Sequence, residues 1–159
     1  MGISYPYMAI LSIAFFIIAV TGVLFGYLYI VDRATRTPML GVYAESYIQN
    51  SKMVIIITTR HMRGDPVRIL SIYIHGENKL DIIVQENKCF SSEDPFVDCY
   101  LIGFSDTRLL QGGVGKVLIL LPVQNIYFYE GKNYRGIVIF DQGTYPITFT
   151  PTNFTSLIL

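Results

Sequence analysis

Residues 8–31 read MAILSIAFFIIAVTGVLFGYLYIV, and this stretch decides the architecture. No Asp, Glu, Lys, Arg or His occurs before Asp32. A bilayer core takes about 20 apolar residues in helix, so the stretch is long enough to span one. In lipid the backbone must satisfy its own hydrogen bonds, which makes the segment helical despite its many Ile, Val and Phe. A helix from about Ser4 to Arg36 is roughly 50 Å long at 1.5 Å per residue. That exceeds the ~30 Å hydrocarbon thickness, so the helix must tilt, protrude or pack along other helices. Gly22 and Gly26 stand four apart on one face, where small residues let two helix backbones approach closely. Ordinary glycine usage in a membrane segment gives the same spacing. Ile17 marks the middle of the run, where packing against other helices would bury it. Tyr27 and Tyr29 precede Asp32 and Arg33, the place of an interfacial aromatic belt. Pro6 falls in the first turn, where a missing N–H costs little.

The apolar run exceeds the ~7–15 residues of a secretory h-region and has no basic n-region before it, so it is read as retained. Arg33 and Arg36 follow the helix. By the positive-inside rule alone they would put the rest of the chain in the cytoplasm; removal of a basic leader would reverse that reading.

Outward from the helix, Pro38 ends it by about Thr37. This divides the chain into a hydrophobic helix, 1–37, and one domain of ordinary size, 38–159. The 12 basic and 12 acidic residues balance and all lie after Val31. There is no basic field for nucleic acid and no acidic tail, so composition names no partner.

The second unit carries no helical period. Its apolar runs are short, β-branched and aromatic, and turn residues divide them. The expected strands are Val42–Gln49, Lys52–Thr59, Val67–His75, Leu80–Gln85, Val97–Phe104, Lys116–Leu121, Asn125–Tyr129, Tyr134–Phe140 and Tyr145–Thr150. Lys52–Thr59 is an uninterrupted apolar run of the buried type. Arg60 to Pro66 is read as a polar turn with His61 in solvent. In Val67–His75, strict alternation puts Arg68, Leu70, Ile72 and Ile74 on one face and Ile69, Ser71 and Tyr73 on the other. Short strands at this spacing predict an all-β, Ig-like sandwich.

Gly112-Gly-Val-Gly-Lys116 lacks the glycine and hydroxyl positions of a phosphate loop, since Leu110 and Val117 stand there. A tight glycine turn between strands explains it. His61 and His75 are the two histidines, and neither has a triad around it. Glu93, Asp94 and Asp98 form an acidic loop without EF-hand spacing. No metal, cofactor or catalytic site is expected, and the chain does not read as an enzyme.

Cys89 and Cys99 bracket a loop containing Pro95. They are expected to pair, which would stabilise by about 2–3 kcal/mol and suits an extracytoplasmic setting; two buried thiols are the alternative. Asn153-Phe-Thr155 is a complete glycosylation sequon, so Asn153 is a glycan candidate on an extracellular surface.

These pieces together resemble archaeal type IV pilins and archaellins. Gly2-Ile3-Ser4 opening a long uncharged helix is similar to the start of a processed filament subunit in that group. Val54 to Val67, containing His61-Met-Arg-Gly-Asp-Pro66 and followed by Leu70 to Ile74, is similar to a recurring strand–His–x–x–Gly–Asp–Pro–strand element. The resemblance covers the whole chain. It implies a structural subunit of an extracellular adhesive filament, with a helix that sits in the membrane before assembly and in the filament core afterwards. It also implies a homopolymer joined through the helix bundle, a leader peptidase and a pilus assembly machinery. An archaellum subunit for motility, and a membrane-anchored envelope or stator protein that never polymerises, are the alternatives.

Overall fold

A computed structural model describes residues 5–49, 51–77, 79–85, 88–92, 95–122 and 128–153. The chain divides into two compact units, Met1–Thr37 and Pro38–Leu159.

The first unit is the helix α1, Tyr5–Arg36, 32 residues with none buried. Its length is about 48 Å at 1.5 Å per residue. It is long and apolar enough to cross a membrane. The Thr21 hydroxyl donates to the Ile17 carbonyl at 2.7 Å, so it is satisfied within the helix. The polar end begins at Asp32, whose carboxylate pairs with Arg36 at 3.0 Å. Arg33 and Arg36 in the last turn complement the carbonyl end of the helix dipole. The Thr37 N–H and hydroxyl both bond to the Arg33 carbonyl, at 3.1 and 2.8 Å. The turn then stops at Pro38, because the residue before a proline avoids helical geometry.

The second unit is a β-sandwich. Its strands are β1 (Met39–Gln49), β2 (Lys52–Arg63), β3 (Val67–His75), β4 (Lys79–Gln85), β5 (Lys88–Ser91), β6 (Asp98–Ile102), β7 (Arg108–Leu109), β8 (Val114–Pro122), β9 (Tyr134–Phe140), β10 (Gly143–Phe149) and β11 (Thr152–Asn153). One sheet runs β11-β1-β2-β8-β6 and the other β10-β9-β3-β4-β5, with β7 paired to the start of β3. All pairs are antiparallel except β1 with β11. The core lies between the sheets. Met53, Ile55 and Ile57 of β2 and Val117, Ile119 and Leu121 of β8 face Ile72, Ile74, Leu80, Ile82 and Val138 of the other sheet.

Several expectations need correction. β2 does not stop at Thr59 but continues to Arg63, so only Gly64, Asp65 and Pro66 make the turn. His61 is therefore not in solvent. Two residues beyond Thr59 on the inward face, it is completely buried. Its backbone N–H donates to the Gly113 carbonyl and its carbonyl accepts from the Gly112 N–H, at 3.0 and 2.8 Å. The glycine turn thus extends the ladder beyond the N-terminal start of β8.

The faces of β3 also differ from strict alternation. A register shift between Ile69 and Ser71 inserts one residue. Val67 and Ile69 point inward before it, Ile72 and Ile74 after it, and Arg68 and Leu70 lie outside. A bulge changes which parity faces the core, and alternation alone does not register it.

The Val97–Phe104 strand shortens to Asp98–Ile102, and β5 begins one residue before Cys89. Tyr145–Thr150 becomes Gly143–Phe149. Of the expected strand Asn125–Tyr129, residues 125–127 lie outside the described residues and 128–129 are not strand. Phe128 instead packs edge-on against Tyr134 and Phe149, with ring centres 4.8 and 5.7 Å away. Gly2 to Ser4, Glu93, Asp94 and the Phe154 and Thr155 of the sequon also lie outside the described residues.

Candidate functional site

The chemistry-bearing features fall on surfaces. Among the described residues, no group of three or more His, Cys, Asp or Glu is placed to hold a metal.

On α1, large apolar side chains stand exposed all round, Phe16 at 70% and Val23 at 74% among them. Ile17 is exposed mid-helix. At Gly22 and Gly26 a Cβ would meet nothing within 4 Å, so the two leave a shallow notch on one face.

Cys89 and Cys99 are joined by a disulfide, with Cα atoms 5.4 Å apart. They come from β5 and β6, the edge strands of different sheets, so the bond closes one side of the sandwich. Asn153 is exposed in β11, where its N–H donates to Glu130 Oε1 at 3.2 Å.

The two outer sheet faces are unlike. On the β1-β2-β8-β6 sheet, register puts Glu45, Ile56, Leu118 and Tyr100 in one outward row. Tyr47, Val54, Leu120 and Asp98 form the next, and Tyr43, Thr58, Lys116 and Ile102 the one beyond. Most of these are apolar. Val54, Ile56, Leu118 and Leu120 in the centre are only half-buried, and Tyr100 and Ile102 are exposed at 52% and 54%. The uninterrupted apolar run in β2 arises here. Alternate residues serve the core, and the intervening ones serve this second apolar face. Runs of this kind belong to strands covered on both sides. Tyr47 donates its hydroxyl to Glu45 Oε2 at 3.0 Å, and that bond to a carboxylate raises the Tyr47 pKa.

On the opposite sheet the outward face is cationic. Lys79, His75 and Arg135 lie directly opposite one another on β4, β3 and β9. All three are exposed. Arg68 and Arg108 form a like-charged pair at the far end of β3. The Arg68 Nε–H donates to the Thr107 hydroxyl at 2.9 Å. Lys88 and Phe90 face outward on β5. Asp81, half-buried beside Tyr73, is the carboxylate among the described outward strand positions of this face. The salt bridge at this end joins Lys132 to Glu77; Glu77 raises the Lys132 pKa.

Sequence reading singled out neither the apolar outer face nor the cationic one. The signal for the first was the double-sided run in β2. The second has none, because Lys79, His75 and Arg135 are brought together only by strand register.

No family model matches this chain, and no curated protein sequence matches it.

Proposed function

We infer that this protein is the structural subunit of an extracellular helical filament of the archaeal type IV pilus kind, serving adhesion. The observation that carries the reading is α1: a helix about 48 Å long, exposed and uncharged through its first 27 residues, Tyr5 to Val31. Such a helix exceeds the ~30 Å that lipid requires. A bundle of copies buries its whole length and every side. Gly22 and Gly26 favour close approach of neighbouring helices.

The apolar outer face of the β1-β2-β8-β6 sheet supports the same reading. A lone lipid anchor leaves that face wet, whereas soluble surfaces rarely carry large contiguous apolar patches without a partner. A neighbouring copy's β domain is the occupant that the filament supplies. Contacts of this type are head to tail and generate an open helix. Before assembly α1 resides in the membrane, and a leader peptidase and assembly machinery act on it. Asn153 is the proposed glycan acceptor on the outer sheath.

Electron microscopy of sheared cell-surface material, with mass-spectrometric and N-terminal sequencing of the fibres, tests the reading. Fibres built of this chain are expected. Recovery of the chain solely in membranes would instead identify a non-polymerising anchor.

A further inference from the structure

The net charge is zero, yet cations gather on one face. Here Lys79 and Arg135 flank His75 on the two adjacent strands, each about 4.8 Å from it. None of the three has an ion-pair partner among the described residues. Arg68 and Arg108, directly opposed like charges of the kind that weaken a sheet, stand at the other end of β3, about 23 Å away along the strand; the Asp141 carboxylate accepts the Arg68 N–H there. Between the two ends lie Leu70, Tyr73 and Ile137, all part-exposed, with the half-buried Asp81 opposite Tyr73 on β4. Phe90 stands at the β5 side, exposed at 44%.

A single small anion would satisfy one end only. A linear polyanion lying along β3 would satisfy both ends and cover the residues between them. The rings of Tyr73 and, at the β5 side, Phe90 are exposed on this face and suit the apolar faces of sugar rings. We propose that this face is a docking surface for an extended anionic polysaccharide, one bearing carboxylate or sulfate groups. Carboxylates or sulfates pair with Lys79 and Arg135 and with the Arg68–Arg108 pair, and sugar rings rest on Tyr73 and Phe90. The sandwich also separates the two roles. The apolar face belongs to the other sheet, so an occupant there leaves the cationic face open. The proposal takes from the filament reading only the extracellular location that exposes the chain to such polymers.

The test uses the full chain in non-ionic detergent, where binding needs no fibre. Retention is measured on immobilised polygalacturonate and dextran sulfate, with neutral dextran as the blank and single-stranded DNA as competitor. Binding to both anionic polymers, weakening with salt, is expected. Lys79→Gln with Arg135→Gln should weaken it about tenfold. Arg60→Gln with Lys116→Gln removes the same charge from the opposite sheet and should leave binding unchanged. Both pairs are exposed strand positions, and unaltered melting temperatures confirm that the variants fold. No retention by the wild type would overturn the proposal, as would equal loss in both double variants. Single-stranded DNA bound as tightly as the polysaccharides would overturn it in favour of a nucleic-acid surface. None of these results bears on whether sheared fibres contain the chain, so failure of this proposal is distinct from failure of the filament reading.

Discussion

Cys89 and Cys99 are bonded across the two sheets, their Cα atoms 5.4 Å apart, at the edge where β5 and β6 run side by side. The short separation of ten residues closes a small loop, and the bond reduces the freedom of the unfolded chain. Its removal should cost about 2–3 kcal/mol. Alkylation of native protein without reductant should therefore add no alkyl groups by intact mass. Replacing both cysteines with serine should lower the melting temperature while leaving a folded domain. Two alkyl groups on the native protein would contradict the pairing.

His61 offers a stabilising substitution. Both of its ring nitrogens are buried and lack a hydrogen-bond partner among the described residues. A buried polar group left unpaired costs about 1–3 kcal/mol. His61→Leu places an apolar side chain of similar size in the core and removes both polar atoms. A melting temperature raised by several degrees is expected. A fall would mean that the imidazole is held by a partner which Leu cannot replace.

Alkaline pH should act through two contacts. Tyr47 is raised from about 10 by its bond to Glu45, and Lys132 from 10.5 by Glu77. A group that titrates higher folded than unfolded contributes fully below its unfolded value and loses the contribution as pH rises through the folded one. Stability attributable to these pairs is thus constant to about pH 10 and declines above it. Thermal melts of wild type against Glu45→Gln with Glu77→Gln, from pH 8 to 11, should converge as pH rises. A gap that does not narrow as pH rises above 10 would contradict this origin.

The core residues of the sandwich all belong to the second unit. Residues 38–159 expressed without the helix should fold cooperatively, with the disulfide formed, and should not build fibres. Fibres from that truncation would show that the β domain alone carries polymerisation.

How much of this was legible in sequence depends on the range of the interactions. The helix and its stop at Pro38 are written locally, in absence of charge and in backbone sterics. Tyr134–Phe140 and Val67–His75 were also readable, since their β-branched and aromatic runs are bounded by Gly, Pro, Asn or Asp. The inward turn of His61 was not, because a polar Arg-His-Met-Arg segment reads as a loop unless its partner strands are known. The parity change at Ile69 and Ser71 was hidden for the same reason: a bulge is a property of pairing with β9. The charge balance concealed the cationic face, since composition counts charges and register places them.

The most direct test of the account is Ile17→Asp. In a bundle of helices, Ile17 packs against neighbours without water. An unpaired carboxylate there costs several kcal/mol, and the cost recurs in every subunit. In a lone lipid anchor the same change carries an insertion cost of about 3 kcal/mol, which the other apolar residues offset. The measurement is the amount of chain in sheared fibres relative to that in membranes, for wild type and Ile17→Asp. The account predicts that the variant still enters the membrane while its fibre-to-membrane ratio collapses. An unchanged ratio, with the variant membrane-inserted, would contradict the buried helical bundle.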